Sequence, residues 1–447
     1  MTDNPRSIQY DKKDPDSILR YAKELEGHTL REKVTDRDKE NVAPANRKGA
    51  FGQTLERGYF LLDNNSDARP DFYDTGIELK TTPMKRSRGR YASKERLALN
   101  VINYMELPNS TFEDSFLSKN EKLLIIFYLF KEGLSIYDYK ILKALLWKFP
   151  KEDMMIIRDD WNKIVEVVKN GRAEELSERH TMYLGASPKG AGHNNNLRKQ
   201  PFSDKQVPQR AFSLKQSYVN KIYRHTGAES LIKDLTKWPE HKSFEEIILE
   251  RFEPFIGISC EDIERKLGVE LNNRSKGYYA DMARKMMGVE GKRIEEFDNA
   301  GIKMKTIRIH KNGTPKEDMS FPCFDYLQLI GTDWEGSDIY RQLDKRFLFV
   351  IFKIDGEKVY FEKSMFWAIS ENDLLEVKRV WEETVRRVKV GCKDLPQSAE
   401  NRVAFVRTHG RNSEDMIPLP NGTMDVRRSF WLNRRFIKEQ IGDQQSS

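Results

Sequence analysis

An internal repeat constrains this chain more than any single motif does. Five segments recur in the same order in its two halves. KGAFGQTLE at 48–56 is echoed by KGYYADMAR at 276–284, DFYDTGIELK at 71–80 by EFDNAGIKMK at 296–305, and KLLIIFYLF at 122–130 by RFLFVIFKI at 346–354. DDWNKIVEVVKNG at 159–171 is echoed by KRVWEETVRRVKVG at 378–391, which matches Trp161 to Trp381, and AFSLKQSYV at 211–219 by SFWLNRRFI at 429–437. The offset shrinks steadily, from 228 residues between Lys48 and Lys276 to 218 between Ala211 and Ser429, as small changes in loop length would produce. Ordered self-similarity of this kind means one architecture used twice. At 447 residues the chain is also too long for one ordinary core. The expectation is two domains, 1–228 and 241–447, joined by a linker at 229–240.

Each half reads as a mixed α/β domain. SILRYAKELEG and SFEEIILERFEPF carry apolar residues at helical spacing. TGIELKT, KLLIIFYLF and RFLFVIFKI are short and rich in β-branched or aromatic residues, which predicts strands. DWNKIVEVVKNG is an amphipathic helix that Asn170-Gly171 would close. The polar opening MTDNPRSIQYDKKD gives no secretory h-region, and no window approaches a membrane span. Cys260, Cys323 and Cys392 form no CxxC pair, so neither a zinc ribbon nor a disulfide scaffold is expected. A reducing cytoplasm is the expected compartment.

The formal net charge of +7 is small for a chain with 77 basic residues, but the charge is uneven. Seven Lys/Arg and a single acid lie between Lys80 and Arg96, and eight with one acid between Ala186 and Arg224. Two such segments fit a phosphate footprint as well as two solvated loops. The sharpest chemical pattern is Asp71, six intervening residues, then Glu78-Leu79-Lys80. Side chains alternate along a strand, so Glu78 and Lys80 share a face, and Asp71 on the preceding turn can converge on them. Asp74, just before Thr75-Gly76, reads as a turn residue. Paired carboxylates supply hard oxygen ligands to Mg²⁺, which acidifies water and polarises a phosphoryl oxygen. Lys80 would orient that water or stabilise transition-state charge. Glu56 would add a further carboxylate, for a second metal or as a general base. Charges in an otherwise apolar Gly-Ile-Glu-Leu-Lys strand break the local rule, and such breaks gather where function lives.

KGAFGQTLE, PDFYDTGIELKTTP, SPKGAG and AFSLK resemble the MutH family of DNA mismatch-repair endonucleases. ASKERLALNVINY, KQPFSDKQVPQRAFSLK and the duplicated second half are more similar to the Sau-three-A type of restriction endonuclease, over essentially the whole chain. The resemblance implies two tandem PD-(D/E)xK nuclease-like (MutH-like) domains, α/β with mixed sheets flanked by helices. It implies Mg²⁺-dependent double-strand cleavage at GATC. Its catalytic acids fall on Asp71 and Glu78, its lysine on Lys80, its helix glutamate on Glu56 and the lysine before that on Lys48. Its DNA-reading loop falls on Pro188-Lys189. A lysine can donate to guanine O6 and N7, and the glycine-rich turn after Lys189 would let main chain approach base edges. Lys94 is a further implied phosphate contact. The family's aromatic, Leu, basic motif falls on Phe212 to Lys215, with Lys215 an implied DNA contact and Ser213 where MutH carries tyrosine.

In the second half Glu296 stands for Asp71, Lys303 for Glu78, Lys305 for Lys80 and Arg284 for Glu56. A divalent cation would meet like charge there, so this half is expected not to cut. It retains a basic loop, Arg407, His409 and Arg411, and with it the expectation of a second, effector DNA site. Three readings remain at this level: a type II restriction endonuclease, a strand-nicking repair endonuclease, and a non-cutting sequence-specific DNA binder. The first implies pairing of two molecules on a symmetric site, or sequential nicking, and a protecting methyltransferase in the same cell.

Overall fold

The computed structural model describes residues 9–34, 49–62, 69–87, 89–189, 196–224, 242–291, 294–391, 393–412 and 414–442. Lys48, the 229–240 linker and the glycine-rich 190–192 lie outside them. The chain separates into two compact units, Met1–Glu229 with Asn299–Gly301, and Ser230–Asp298 with Ile302–Ser447.

The first unit opens with α1 (Pro15–Lys23), whose N-terminus is capped by the Asp14 carboxylate accepting from the Asp16 N–H. Helix α2 (Ala50–Thr54) follows and runs straight into a π-helical turn, Leu55–Tyr59. Strands β1 (Ile77–Ser87), β2 (Arg90–Ser93), β4 (Lys122–Leu129) and β5 (Ile141–Lys148) form a sheet in the order β2-β1-β4-β5. The β1–β4 pair is parallel and the other two pairs are antiparallel. Strand β4 is buried from Leu123 to Phe127, which is why its sequence is a continuous apolar run rather than an alternation. Ile77 and Leu79 of β1 pack with Ile18 and Ala22 of α1 and with Leu55 and Phe60. Each fully buried apolar side chain of this kind contributes about 1.5–3 kcal/mol. The alternate β1 residues, Glu78 and Lys80, therefore face the other way.

A second sheet orders β3 (Leu97–Val101), β9 (Arg210–Leu214) and β6 (Leu184–Pro188) as β3-β9-β6, with β7 (Leu197–Gln200) and β8 (Ser203–Pro208) as a separate hairpin. Helix α3 (Lys151–Lys169) carries a fully buried carboxylate, Asp160. It accepts the N–H groups of Met182, Tyr183 and Leu184 at 2.7, 2.6 and 2.9 Å, tying the start of β6 to the helix. The helix starts well before the Asp159 that opens the repeated segment, because Lys151–Arg158 continues the same buried stripe. Helix α4 (Gln216–Arg224) closes the unit.

The second unit starts with α5 (Phe244–Glu250), held by a Ser243/Glu246 capping box, then α6 (Cys260–Leu267), α7 (Tyr278–Met286) and α8 (Glu295–Ala300). Its main sheet orders β10 (Lys303–Ile309), β12 (Phe347–Asp355) and β13 (Lys358–Trp367) as β10-β12-β13, the first pair parallel and the second antiparallel. Lys303 pairs with Phe347 and Lys305 with Phe349, as Glu78 pairs with Leu123 and Lys80 with Ile125. Helix α9 (Glu371–Lys389) carries Trp381 in the apolar core. A second sheet orders β11 (Met319–Cys323), β17 (Arg428–Leu432) and β14 (Ala404–Thr408) as β11-β17-β14. The short β15 (Met416–Pro418) and β16 (Met424–Val426) pair with each other, and α10 (Arg434–Gly442) ends the described chain. Among the described residues no helix is long and apolar enough to cross a membrane.

Candidate active site and DNA-reading strand

The site in the first unit is made by a tight reversal of the chain. Phe72 pairs with Ile77 across a 3-10 turn, Tyr73–Thr75, with N–H to carbonyl distances of 2.9 and 3.3 Å. Gly76 closes the turn at φ +68°, where a glycine carries no steric penalty. Asp71 is thereby folded back beside Glu78. The Asp71 N–H donates to Glu78 Oε2 at 3.2 Å, and Asp71 Oδ2 accepts from the Leu79 N–H at 2.8 Å. Asp74 stays on the exposed turn, 3.9 Å from Lys13 and away from the cluster.

Glu78 is only 2% exposed. Its Oε1 receives the ammonium of Lys80 at 2.5 Å and faces that of Lys119 at 3.6 Å. Burial pushes the Glu78 carboxyl above its ordinary range; the Lys80 charge opposes that and the Asp71 charge adds to it. Glu56 projects from the π-helical turn after α2, which sits close on β1 because a side chain at Gly52 would come within 3.3 Å of Thr81 Oγ1. Burial raises its pKa to about 7, with the negative charge of Asp71 adding to the effect, Lys80 opposing it, and Glu78 adding again. Four groups read from the sequence thus converge.

Asp71 Oδ1 and the Glu56 carboxylate accept no hydrogen bond among the described residues, so oxygens remain for a ligand. Among the same residues no group of three or more His, Cys, Asp or Glu side chains is gathered as a metal cage. Two carboxylates with water completing the shell are what Mg²⁺ accepts, so Asp71 and Glu78 fit that ion.

The reading strand reaches the same place from the other sheet. Pro188 ends β6, exposed, and the Lys189 N–H donates to the Gln209 carbonyl at 2.8 Å. Gln209 in turn donates to Asn196 at 2.9 Å, closing the base of the loop. The pKa of Lys189 is lowered, first by lost hydration on its protein side and then by the positive charges of Lys80 and Lys119. The loop base, Lys80 and Lys119 therefore share one electrostatic neighbourhood. Nearby, Ser213 is fully buried and donates to Glu178 Oε1 at 3.2 Å, the oxygen that also takes Arg96 at 2.9 Å.

The structure does not bring every expected residue to the site. Lys215 is 8% exposed, and its ammonium donates to the Thr181 carbonyl, so it is turned inward rather than toward DNA. The residue after β9 thus faces the core at the position where a DNA contact is expected. Lys94 is exposed and lies over the Phe130 ring at 4.0 Å. Lys119 was missed: it sits in a polar turn before β4, and nothing in SKNEK marks a residue that will meet a carboxylate 41 positions away. In the second unit Arg407, His409 and Arg411 are exposed at the end of β14. Arg407 lies over the Trp431 ring at 5.6 Å, and the His409 ring is 4.9 Å from it with Nδ1 2.9 Å from Ser429 Oγ. The Arg411 N–H donates to Asp415 Oδ2 at 3.1 Å. His409 follows the last pair of β14 as Lys189 follows the last pair of β6.

Carboxylates and lysines gathered beside a basic reading strand define a nuclease of the MutH class, and comparison with known proteins agrees. The model of the DNA mismatch repair enzyme MutH matches residues 60–160 and again 288–386. The chain is 31% identical, over 94% of its own length and 100% of the relative's, to the type II restriction enzyme Sau3AI of Staphylococcus aureus. It is 28% identical to the DNA mismatch repair protein MutH of Shewanella woodyi over 39% of the chain and 75% of that protein, and 31% identical to that of Shewanella amazonensis over 39% and 78%. The chain belongs to the Sau3AI family of type II restriction endonucleases, site-specific deoxyribonucleases built on MutH-like domains.

Proposed function

We propose that the protein makes double-strand breaks in DNA at GATC, with the first unit cutting and the second binding DNA without cutting. The observation that carries the cutting reading is the Asp71, Glu78, Lys80 and Lys119 cluster, set against Lys189 at the base of the reading loop. A magnesium ion held by Asp71 and Glu78 would polarise the scissile phosphoryl group and acidify water. Lys80 and Lys119 stabilise negative charge growing on the phosphate oxygens. Glu56, with its raised pKa, takes a proton from the attacking water at neutral pH. Lys189 and the exposed Pro188 main chain meet base edges, and Lys94 and Lys48 meet backbone phosphate.

In the second unit Lys303, Lys305 and Arg284 stand where the first has Glu78, Lys80 and Glu56. The shared strand register supports a duplicated domain of which the second copy keeps a carboxylate, Glu296, at the Asp71 position but carries lysine in place of the metal ligand Glu78. Arg407, His409 and Arg411 are its DNA-facing loop, and an effector duplex bound there stimulates cutting by the first unit. One active cluster per chain favours two molecules meeting on the symmetric site. The enzyme acts in the cytoplasm beside a methyltransferase that protects the host's own sites. Plasmid digestion with Mg²⁺ or with chelator, followed by sequencing of the ends, tests this. Uniform ends at GATC that vanish with chelator support it. Nicked circles alone mean a strand-nicking enzyme, and retention without cleavage means a DNA binder.

A further inference from the structure

In the second unit the positions of Glu78 and Glu56 beside β10 have become basic, Lys303 and Arg284, while Glu296 keeps the carboxylate of Asp71. Lys303 and Lys305 are two apart on β10, hence on one face. Lys345 comes from the turn just before β12, the strand that pairs with β10, and the Lys303 N–H donates to the next carbonyl, that of Arg346, at 2.9 Å. The first unit adds Lys119 from the corresponding turn before β4, but there the lysines have Glu78 to neutralise them. Here none of the three forms an ion pair among the described residues. Lys305 is steadied only by the Ser320 carbonyl at 3.2 Å and the Phe321 ring at 5.8 Å. Burial lowers the pKa of Lys305, and the charge of Lys303 lowers it further. Burial, then Lys303, bring Lys345 down to about 8, with Asp344 opposing and Arg341 adding. Lys305 and Lys345 are half-buried beside the exposed Lys303, and such like charges cost stability unless an anion offsets them.

The geometry points to a phosphate clamp: Lys303, Lys305 and Lys345 hold one backbone phosphate of a second DNA duplex, in the cleft that corresponds to the catalytic cleft of the first unit. This rests on the second unit binding DNA, and it assigns that binding a definite anchor. Lysine at the Glu78 position leaves Glu296 as the carboxylate matching Asp71, and the ammonium groups take the place of the cation of a cutting site. They keep its grip on phosphate and remove its chemistry. Lysine suits this as a compact point charge.

The test uses the full chain in chelator, so that nothing is cut, and a short duplex with a single GATC. Duplexes bound per chain and the salt dependence of each binding step are measured. Wild type is expected to bind two. Lys303→Gln/Lys345→Gln is expected to weaken the second by at least about tenfold and to reduce its log K against log salt slope by about 1. The first duplex is expected to bind unchanged, and the melting temperature of the free protein to stay level or rise as like charges are removed. Lys303→Arg/Lys345→Arg, which keeps both charges, is expected to restore the second duplex, which separates loss of charge from loss of fold. Second-duplex affinity and salt slope equal to wild type in the glutamine variant would overturn the clamp. One duplex per wild-type chain would overturn the two-duplex reading beneath it.

Discussion

Strands β1 and β10 occupy the same place in the two units, each parallel to an apolar partner strand in the same register. On the inward face β1 carries Ile77 and Leu79, where β10 is preceded by Ile302 and carries Met304. On the other face β1 presents Glu78 and Lys80, and β10 presents Lys303 and Lys305. The sheet geometry follows from the apolar residues and tolerates either set of charges. The chemistry follows from the charges alone. A fold of this kind can therefore keep its shape while exchanging a glutamate beside a lysine on that face for two lysines.

The strongest way to break the comparison is to copy one strand into the other. Glu78→Lys is expected to lower plasmid cleavage by at least about a thousandfold, in line with losing a metal ligand and gaining a repelling charge. Lys303→Glu is not expected to create a cutting site, because Arg284 and Lys345 still oppose a cation. Nuclease activity gained by Lys303→Glu in a Glu78→Lys background would end that reading. Next in size, Lys119→Ala is expected to slow single-turnover cleavage by about 10- to 100-fold with little change in DNA affinity. An equal loss in affinity would make Lys119 a binding residue instead.

Glu56 sharpens the comparison through pH. Its folded pKa of about 7 lies above its ordinary 4.5, so the folded state holds a proton that the unfolded state releases between those values. This group's stability contribution is fully present below 4.5 and declines as pH rises through 7. The melting temperature in chelator is expected to fall across that window and Glu56→Gln to flatten the fall. Cleavage by wild type is expected to rise with pH through about 7, since the carboxylate form is the working one. A rate profile unaltered by Glu56→Gln would remove Glu56 from the chemistry. The smallest effect is expected from Lys215→Met: lower stability through loss of the bond to Thr181, with the salt slope of DNA binding unchanged. A slope reduced by about 1 would return Lys215 to the DNA surface.

Much of this was legible in the sequence, for a physical reason. The alternation of Ile77, Glu78, Leu79 and Lys80 is a local property of a strand, and the Thr75-Gly76 turn that swings Asp71 back is equally local. The recurrence of segments needs no geometry at all. What escaped depends on contacts between distant segments. Lys119 meets Glu78 only because β1 and β4 are parallel neighbours. The inward turn of Lys215 is set by the Thr181 carbonyl, 34 residues away, and an aromatic, Leu, basic pattern does not say which way its ammonium points. Glu56 is read from the sequence, but the π-helical turn that places it is an irregularity that apolar spacing cannot announce.

The lock between Asp160 and the start of β6 also gives the molecule a built-in optical reporter. Three successive N–H groups, two just before β6 and one at its first residue, end on a single carboxylate, which ties helix α3 to the start of that strand. The next residue along that helix is Trp161, whose indole donates to Ser115 at 3.0 Å. A tilt of β6 would pass to an emitting ring, so a change in Trp161 fluorescence on adding a duplex would report movement of that strand before any bond is cut.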